Sequence, residues 1–120
     1  MKANELMIGD WVALSFDLLK DSCQPFKAKL NLKNIVAIHD GKLVAEPIPL
    51  TEEILKANGW TYDDIDYAWC LDKFPDLYKH EEGFCNYYDG IEVRLNYVHE
   101  LQQALRLCGL NELADNFKVV

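Results

Sequence analysis

Histidine is scarce in this chain, with three in 120 residues, and the four cysteines form no Cys-x-x-Cys pair. That combination excludes the common zinc-finger and thioredoxin-like patterns. The six glycines never cluster into a phosphate-cradling loop, and no Gly-x-Ser-x-Gly elbow or local Cys/His nucleophile pairing is present. No apolar run approaches the roughly twenty residues of a membrane span, and the first ten residues hold no signal-peptide core. Cys23, Cys70, Cys85 and Cys108 are therefore expected to be reduced, in a cytoplasmic protein.

Basic residues are also few, twelve against twenty acidic, for a formal charge of −8. The first sixty residues hold seven basic and eight acidic groups, the last sixty five and twelve. A negative surface repels phosphate backbones, so general nucleic-acid binding is disfavoured. It favours a basic partner instead. The one basic concentration, Lys20, Lys27, Lys29 and Lys33, is diluted by Asp17 and Asp21 and reads as a solvated flank.

What is present is the material of one α+β domain spanning residues 1–120, long enough for a sizeable core without disulfides or metal. The clearest element is a helix over residues 97–109, with Asn96 as its cap and Gly109 as its left-handed stop. Tyr97, Val98, Leu101, Ala104, Leu105 and Cys108 are expected on its buried stripe, with His99, Gln102, Gln103 and Arg106 opposite in solvent. A short helix is expected from Thr51, with Leu50 and Leu55 as staple and Gly59 as stop.

Trp11 to Phe16 reads as a strand, and residues 17–27 as a loop. Two Asp-Gly dipeptides each predict a hairpin: residues 30–38 with 42–48 around Asp40-Gly41, and 84–88 with 91–95 around Asp89-Gly90. The second register sets Phe84 opposite Leu95 and Tyr88 opposite Ile91 inside, Cys85 opposite Arg94 and Tyr87 opposite Glu92 outside. Tyr67 to Leu71 can form a strand, with a turn at Phe74-Pro75-Asp76. These elements predict an antiparallel sheet or a small, partly open barrel, with the long C-terminal helix packed on it and the short helix closing one end. The segment Ile8-Gly9-Asp10-Trp11-Val12 resembles the opening strand of SH3-like barrels.

Two constellations bear on function. Residues His99-Glu100-Leu101-Gln102-Gln103 approach the His-Glu-x-x-His zinc motif, but Gln103 replaces the second ligand. A degenerate metallohydrolase, with Glu100 as base and His99 as metal ligand, is thus the catalytic alternative. Tyr62, Asp63, Asp64, Asp66, Tyr67 and Trp69 combine acid and aromatics and form the candidate binding surface. The aspartates lack the glycine and closing glutamate of an EF-hand. The alternative for the aromatics is burial on alternate strand positions.

Three stretches carry a family resemblance: Ile8-Gly9-Asp10-Trp11-Val12, residues 46–60 (EPIPLTEEILKANGW) and residues 97–110 (YVHELQQALRLCGL). In them the chain resembles small uncharacterised proteins of gut bacteria and their phages or other mobile elements. The resemblance implies a context and no activity, cofactor or catalytic residue. Some members of that group carry His at the position of Gln103.

The expectation is a non-catalytic, protein-binding accessory protein without cofactor or membrane association. Exposed strand edges permit a homodimer. An acidic DNA mimic is a further alternative.

Overall fold

The computed structural model describes residues 1–16 and 25–120. Lys20, Cys23 and the flanking Asp17 and Asp21 lie outside the described residues, as does most of the expected 17–27 loop. The fold is α+β, with antiparallel sheets of three and five strands and, among the described residues, no closed barrel. The chain divides into two compact units, Met1–Ile48 and Pro49–Val120.

The first unit holds strands β1 (Trp11–Phe16), β2 (Phe26–Lys29) and β3 (Leu43–Pro47) in the order β2-β1-β3, with helix α1 (Leu32–His39). Alternation along β1 buries Val12 and Leu14, which join Leu6, Leu30, Ile38 and Ala45 in one apolar cluster. Asp10 is fully buried ahead of β1 and its carboxylate accepts from the Met7 amide at 2.8 Å.

Here the sequence expectation fails. Residues 32–39 are helical, so no hairpin forms around Asp40-Gly41, and β3 pairs with β1 instead. Two local features decide it. Asn31 accepts from the Asn34 amide at 2.9 Å while Asn34 accepts from the Asn31 amide at 3.1 Å, a reciprocal cap. At the other end Gly41, at φ 78°, donates to Ile38 O and Lys42 donates to Ala37 O. That is a Schellman stop, in which the same positive-φ glycine ends a helix rather than turning a hairpin. Residues 26–29 form the strand β2 beside β1, so Phe26 and Lys27, expected at the end of a loop, are strand.

The second unit is built on a meander of β4 (Thr61–Asp63), β5 (Ala68–Leu71), β6 (Phe74–His80), β7 (Gly83–Tyr88) and β8 (Ile91–Leu95). Before it comes α2 (Glu52–Ala57), after it α3 (Val98–Leu107) and α4 (Asn111–Asp115). Helix α2 forms as expected: Thr51 accepts from the Ile54 amide, Gly59 takes φ 97°, and the Trp60 amide donates back to Leu55 O. Asn58 then clamps the C-terminal segment, donating to Lys118 O and accepting from the Lys118 amide, both at 2.8 Å. Trp60 lies edge-on to Phe74 and to Phe117.

The β7–β8 hairpin has the expected register, from Phe84↔Leu95 to Tyr88↔Ile91, through Asp89 and Gly90 at φ 49° and 79°. Ile91 is nevertheless 66 % exposed, because it sits at the hairpin tip beyond the core. Residues 74–76 are strand, not turn; the reversal is at Lys73, φ 65°. Pro75 lies inside β6 where the β5–β6 register shifts between Phe74 and Leu77, the kind of bulge at which a strand tolerates proline.

Helix α3 starts one residue later than expected, with Tyr97 at the cap. It buries Val98, Leu101 and Leu105 completely and ends on Gly109, φ 80°, with Leu110 donating to Leu105 O. Four assignments on it are corrected. His99, expected in solvent, is 8 % exposed with its ring against Tyr97, and Tyr97, expected on the buried stripe, is 37 % exposed because it precedes the helix as its cap. Gln102 is fully buried rather than in solvent: it sits about 40° from Val98 on the wheel, and its Nε2 donates to Ala114 O at 3.0 Å. Cys108 is exposed rather than core, because the helix has already ended.

Gly83, φ 140°, packs so tightly on the residue before the cap of α3 that a Cβ there would lie 2.8 Å from Asn96 Cα. Neither the conformation nor the contact admits a side chain. Gly83→Ala is expected to destabilise the chain by about 2 kcal/mol or more, read from urea unfolding. Asn31→Ala should cost about 1 kcal/mol through the lost cap of α1; unchanged unfolding would show that the reciprocal cap contributes nothing.

Candidate functional site

The expected acidic and aromatic surface falls on the β4–β5 hairpin. Asp63 Oδ1 accepts from the Ile65 amide at 2.9 Å, an Asx-type turn that closes the loop, and Tyr67 leaves it at φ 55°. Tyr62 and Tyr67 are 47 % and 73 % exposed, and Asp64 and Asp66 are exposed as well. Trp69 does not belong to that surface. It is 2 % exposed, with the Tyr62 ring 5.2 Å from its own and Lys56 Nζ 5.7 Å from its centroid. Pairing across the ladder explains the split, since Tyr62 sits opposite Trp69 and covers it. Ile65, 86 % exposed between the aspartates, was not among the expected residues. Polar neighbours on both sides concealed it.

Beyond this hairpin, a cleft of about 780 Å³ opens in the same unit beside the start of α2 and the β6–β7 turn. Glu52, Glu53, Glu81 and Glu82 line it, and Lys79 is ion-paired to Glu52.

The His-Glu-x-x-His-like segment has other employment. Glu100 Oε1 accepts from the Asn96 and Tyr97 amides at 3.0 and 3.1 Å, so the would-be base caps its own helix. His99 is 8 % exposed and stacked on Tyr97, with ring centroids 6.1 Å apart. Among the described residues, neither joins a group of three or more metal-ligating side chains.

Such a group exists elsewhere. Successive residues of a strand face opposite sides, and the register aligns His80, Cys85, Tyr87, Glu92 and Arg94 on the outer face of β6–β7–β8. His80 Nε2 lies 2.8 Å from Cys85 Sγ and 2.8 Å from Glu92 Oε1. Cys85 was expected outside; it faces that way, yet is fully buried. Burial pushes its thiol pKa up, offset in part by a hydrogen bond from Tyr87, whose own pKa that bond raises. Arg94 approaches Glu92 at 3.8 Å and stays largely solvated. A Cys-His-carboxylate relay needs the two ring nitrogens to face different partners. Here one nitrogen faces both, so the geometry is that of converging ligands.

Among the described residues no helix is long and apolar enough to cross a membrane. Comparison with family models, curated proteins and solved structures found no match.

Cys70, on β5, reports on the acidic hairpin. Burial first, then Asp76, Asp63 and Asp66, hold its thiol pKa above the ordinary 9.0. A raised thiol pKa favours folding below the ordinary value and loses that contribution as pH rises through the folded one. Cys70 should therefore alkylate more slowly than exposed Cys108 near pH 8, and Asp76→Asn should speed it. Peptide mapping after timed iodoacetamide treatment checks both; equal rates at the two thiols would be the contrary outcome.

Proposed function

We propose that this chain is a non-catalytic, cytoplasmic accessory protein that binds a basic protein partner through its Pro49–Val120 unit. The observation that carries the reading is the hairpin tip, where Tyr62, Ile65 and Tyr67 stand exposed among Asp63, Asp64 and Asp66. Exposed aromatics supply contact area at small entropic cost, and their faces attract Lys and Arg. The surrounding charge has the matching sign. Met1–Ile48 holds six basic and six acidic side chains, Pro49–Val120 six and fourteen, so the whole net charge belongs to the second unit. The resemblance to small proteins of phages and mobile elements fits an accessory role.

Affinity recovery on immobilised chain tests this. Proteins retained in low salt should be basic, and Tyr62→Ala/Tyr67→Ala should cut their recovery by about tenfold or more. Equal recovery on both columns would remove the surface. An enzyme retained there and competed off by duplex DNA would instead make the chain a DNA mimic.

A further inference from the structure

We propose that His80 Nε2, Cys85 Sγ and Glu92 Oε1 form a binding site for one zinc-class divalent cation, with a coordination position left open to solvent. The three donor atoms lie within 4.8 Å of one another on adjacent strands. This site is separate from the hairpin tip, and its existence does not depend on the partner reading.

The case begins with a conflict in the hydrogen bonding. Glu92 and Cys85 both sit 2.8 Å from the same ring nitrogen. If Nε2 carries a proton and gives it to the carboxylate, the thiol turns its own hydrogen to Glu92, and the sulfur is left 2.8 Å from the nitrogen with no hydrogen between them. If Nε2 is bare, it can accept from the thiol but then faces the carboxylate lone pairs. Either tautomer satisfies one contact and strains the other. A cation between the three donors reconciles them, because imidazole, thiolate and carboxylate all present lone pairs to it.

Donor chemistry then selects the ion. A sulfur and an imidazole disfavour calcium and magnesium, which take oxygen ligands, and suit zinc or cobalt. Three protein ligands are the number that leaves a fourth, tetrahedral position free. The required movement is small. Tetrahedral zinc holds nitrogen and sulfur roughly 3.6 Å apart, against the observed 2.8 Å. Rotation of His80, whose side chain is 34 % exposed, supplies the difference without moving a strand. The surroundings support the ligands, with Tyr87 hydrogen-bonded to the Cys85 sulfur and Arg94 beside Glu92. The ligand charges sum to −2 with the thiolate formed, matching a divalent ion, and the thiol proton is released to solvent on binding.

The test uses the full chain purified without a polyhistidine tag and titrated with Co²⁺, then Zn²⁺. One equivalent of Co²⁺ should bind with an intense near-ultraviolet sulfur-to-metal band, and Zn²⁺ should abolish that band. Cys85→Ser should remove it, while Cys108→Ser leaves it intact. His80→Ala and Glu92→Gln should each weaken Zn²⁺ binding at least tenfold in a competition with a chromogenic chelator. Glu92 is partly exposed, so its variant keeps the proposal falsifiable even if the buried Cys85→Ser fails to fold. No saturable binding of either metal, a band that survives Cys85→Ser, or Glu92→Gln binding as wild type would each overturn the assignment.

Discussion

Pleating of the β6–β7–β8 ribbon is the constraint on which the second unit depends. Asp89 and Gly90, both at positive φ, turn the chain in the tight I′ manner that right-twisted strands accept. That turn sets which residue meets which, and a slip of one position would carry every side chain to the other face. In the register found, Phe84, Leu77 and Leu95 go into the core. The intervening positions place His80, Cys85 and Glu92 together on the far side. Core and ligand cluster are thus two consequences of one pairing. Gly83 allows the β6–β7 turn to press against Asn96, which ties the same ribbon to the start of α3.

How much of this could be read beforehand turns on how many outcomes each local signal permits. Asp89-Gly90 lies between strands with alternating faces, and its register was legible residue for residue. Asp40-Gly41 looks identical, yet ends a helix. The difference lies upstream, in the reciprocal Asn31/Asn34 cap, which outweighs the strand preference of Ile35, Val36 and Ile38. Caps with one meaning, Thr51 and the Gly109 stop, were read correctly. Gln102 shows the opposite failure, where polarity was taken as exposure. A buried amide costs little once its donor reaches a carbonyl, and that partner belongs to a helix twelve residues on.

The ligand cluster was hidden for a related reason. His80, Cys85 and Glu92 have no motif spacing, since they converge through strand pairing rather than along one helix. Half of the convergence was already available: the second hairpin set Cys85 and Glu92 on its outer face. What was missing was β6. Reading Phe74-Pro75-Asp76 as a turn removed the strand that carries His80, and with it the third donor. Register, once β6 is known, puts His80 opposite Gly83 and on the face of Cys85. The hairpin tip was more legible because exposed aromatics among aspartates lie next to one another in the chain. Only Trp69 was misplaced, for cross-strand pairing buries one ring of the pair beneath the other.

Charge and aromatics at that tip contribute differently, and their magnitudes keep the two apart. An exposed ion pair is worth about 0–1 kcal/mol and is screened beyond about 8 Å at physiological ionic strength. Fourteen acidic groups spread over one unit would therefore raise encounter rates with the proposed basic partner more than they would hold it. Holding would fall to Tyr62, Ile65 and Tyr67, whose rings and side chain would lose water on contact with the proposed partner. At the donor cluster the balance reverses. Only the Cys85 sulfur is fully buried there, and the three donors lie within 4.8 Å of one another, so a cation between them would be held by direct contact rather than by the distant field. The proposed recruiting surface and the proposed cation site can thus share one unit, because each would work over a range the other does not reach.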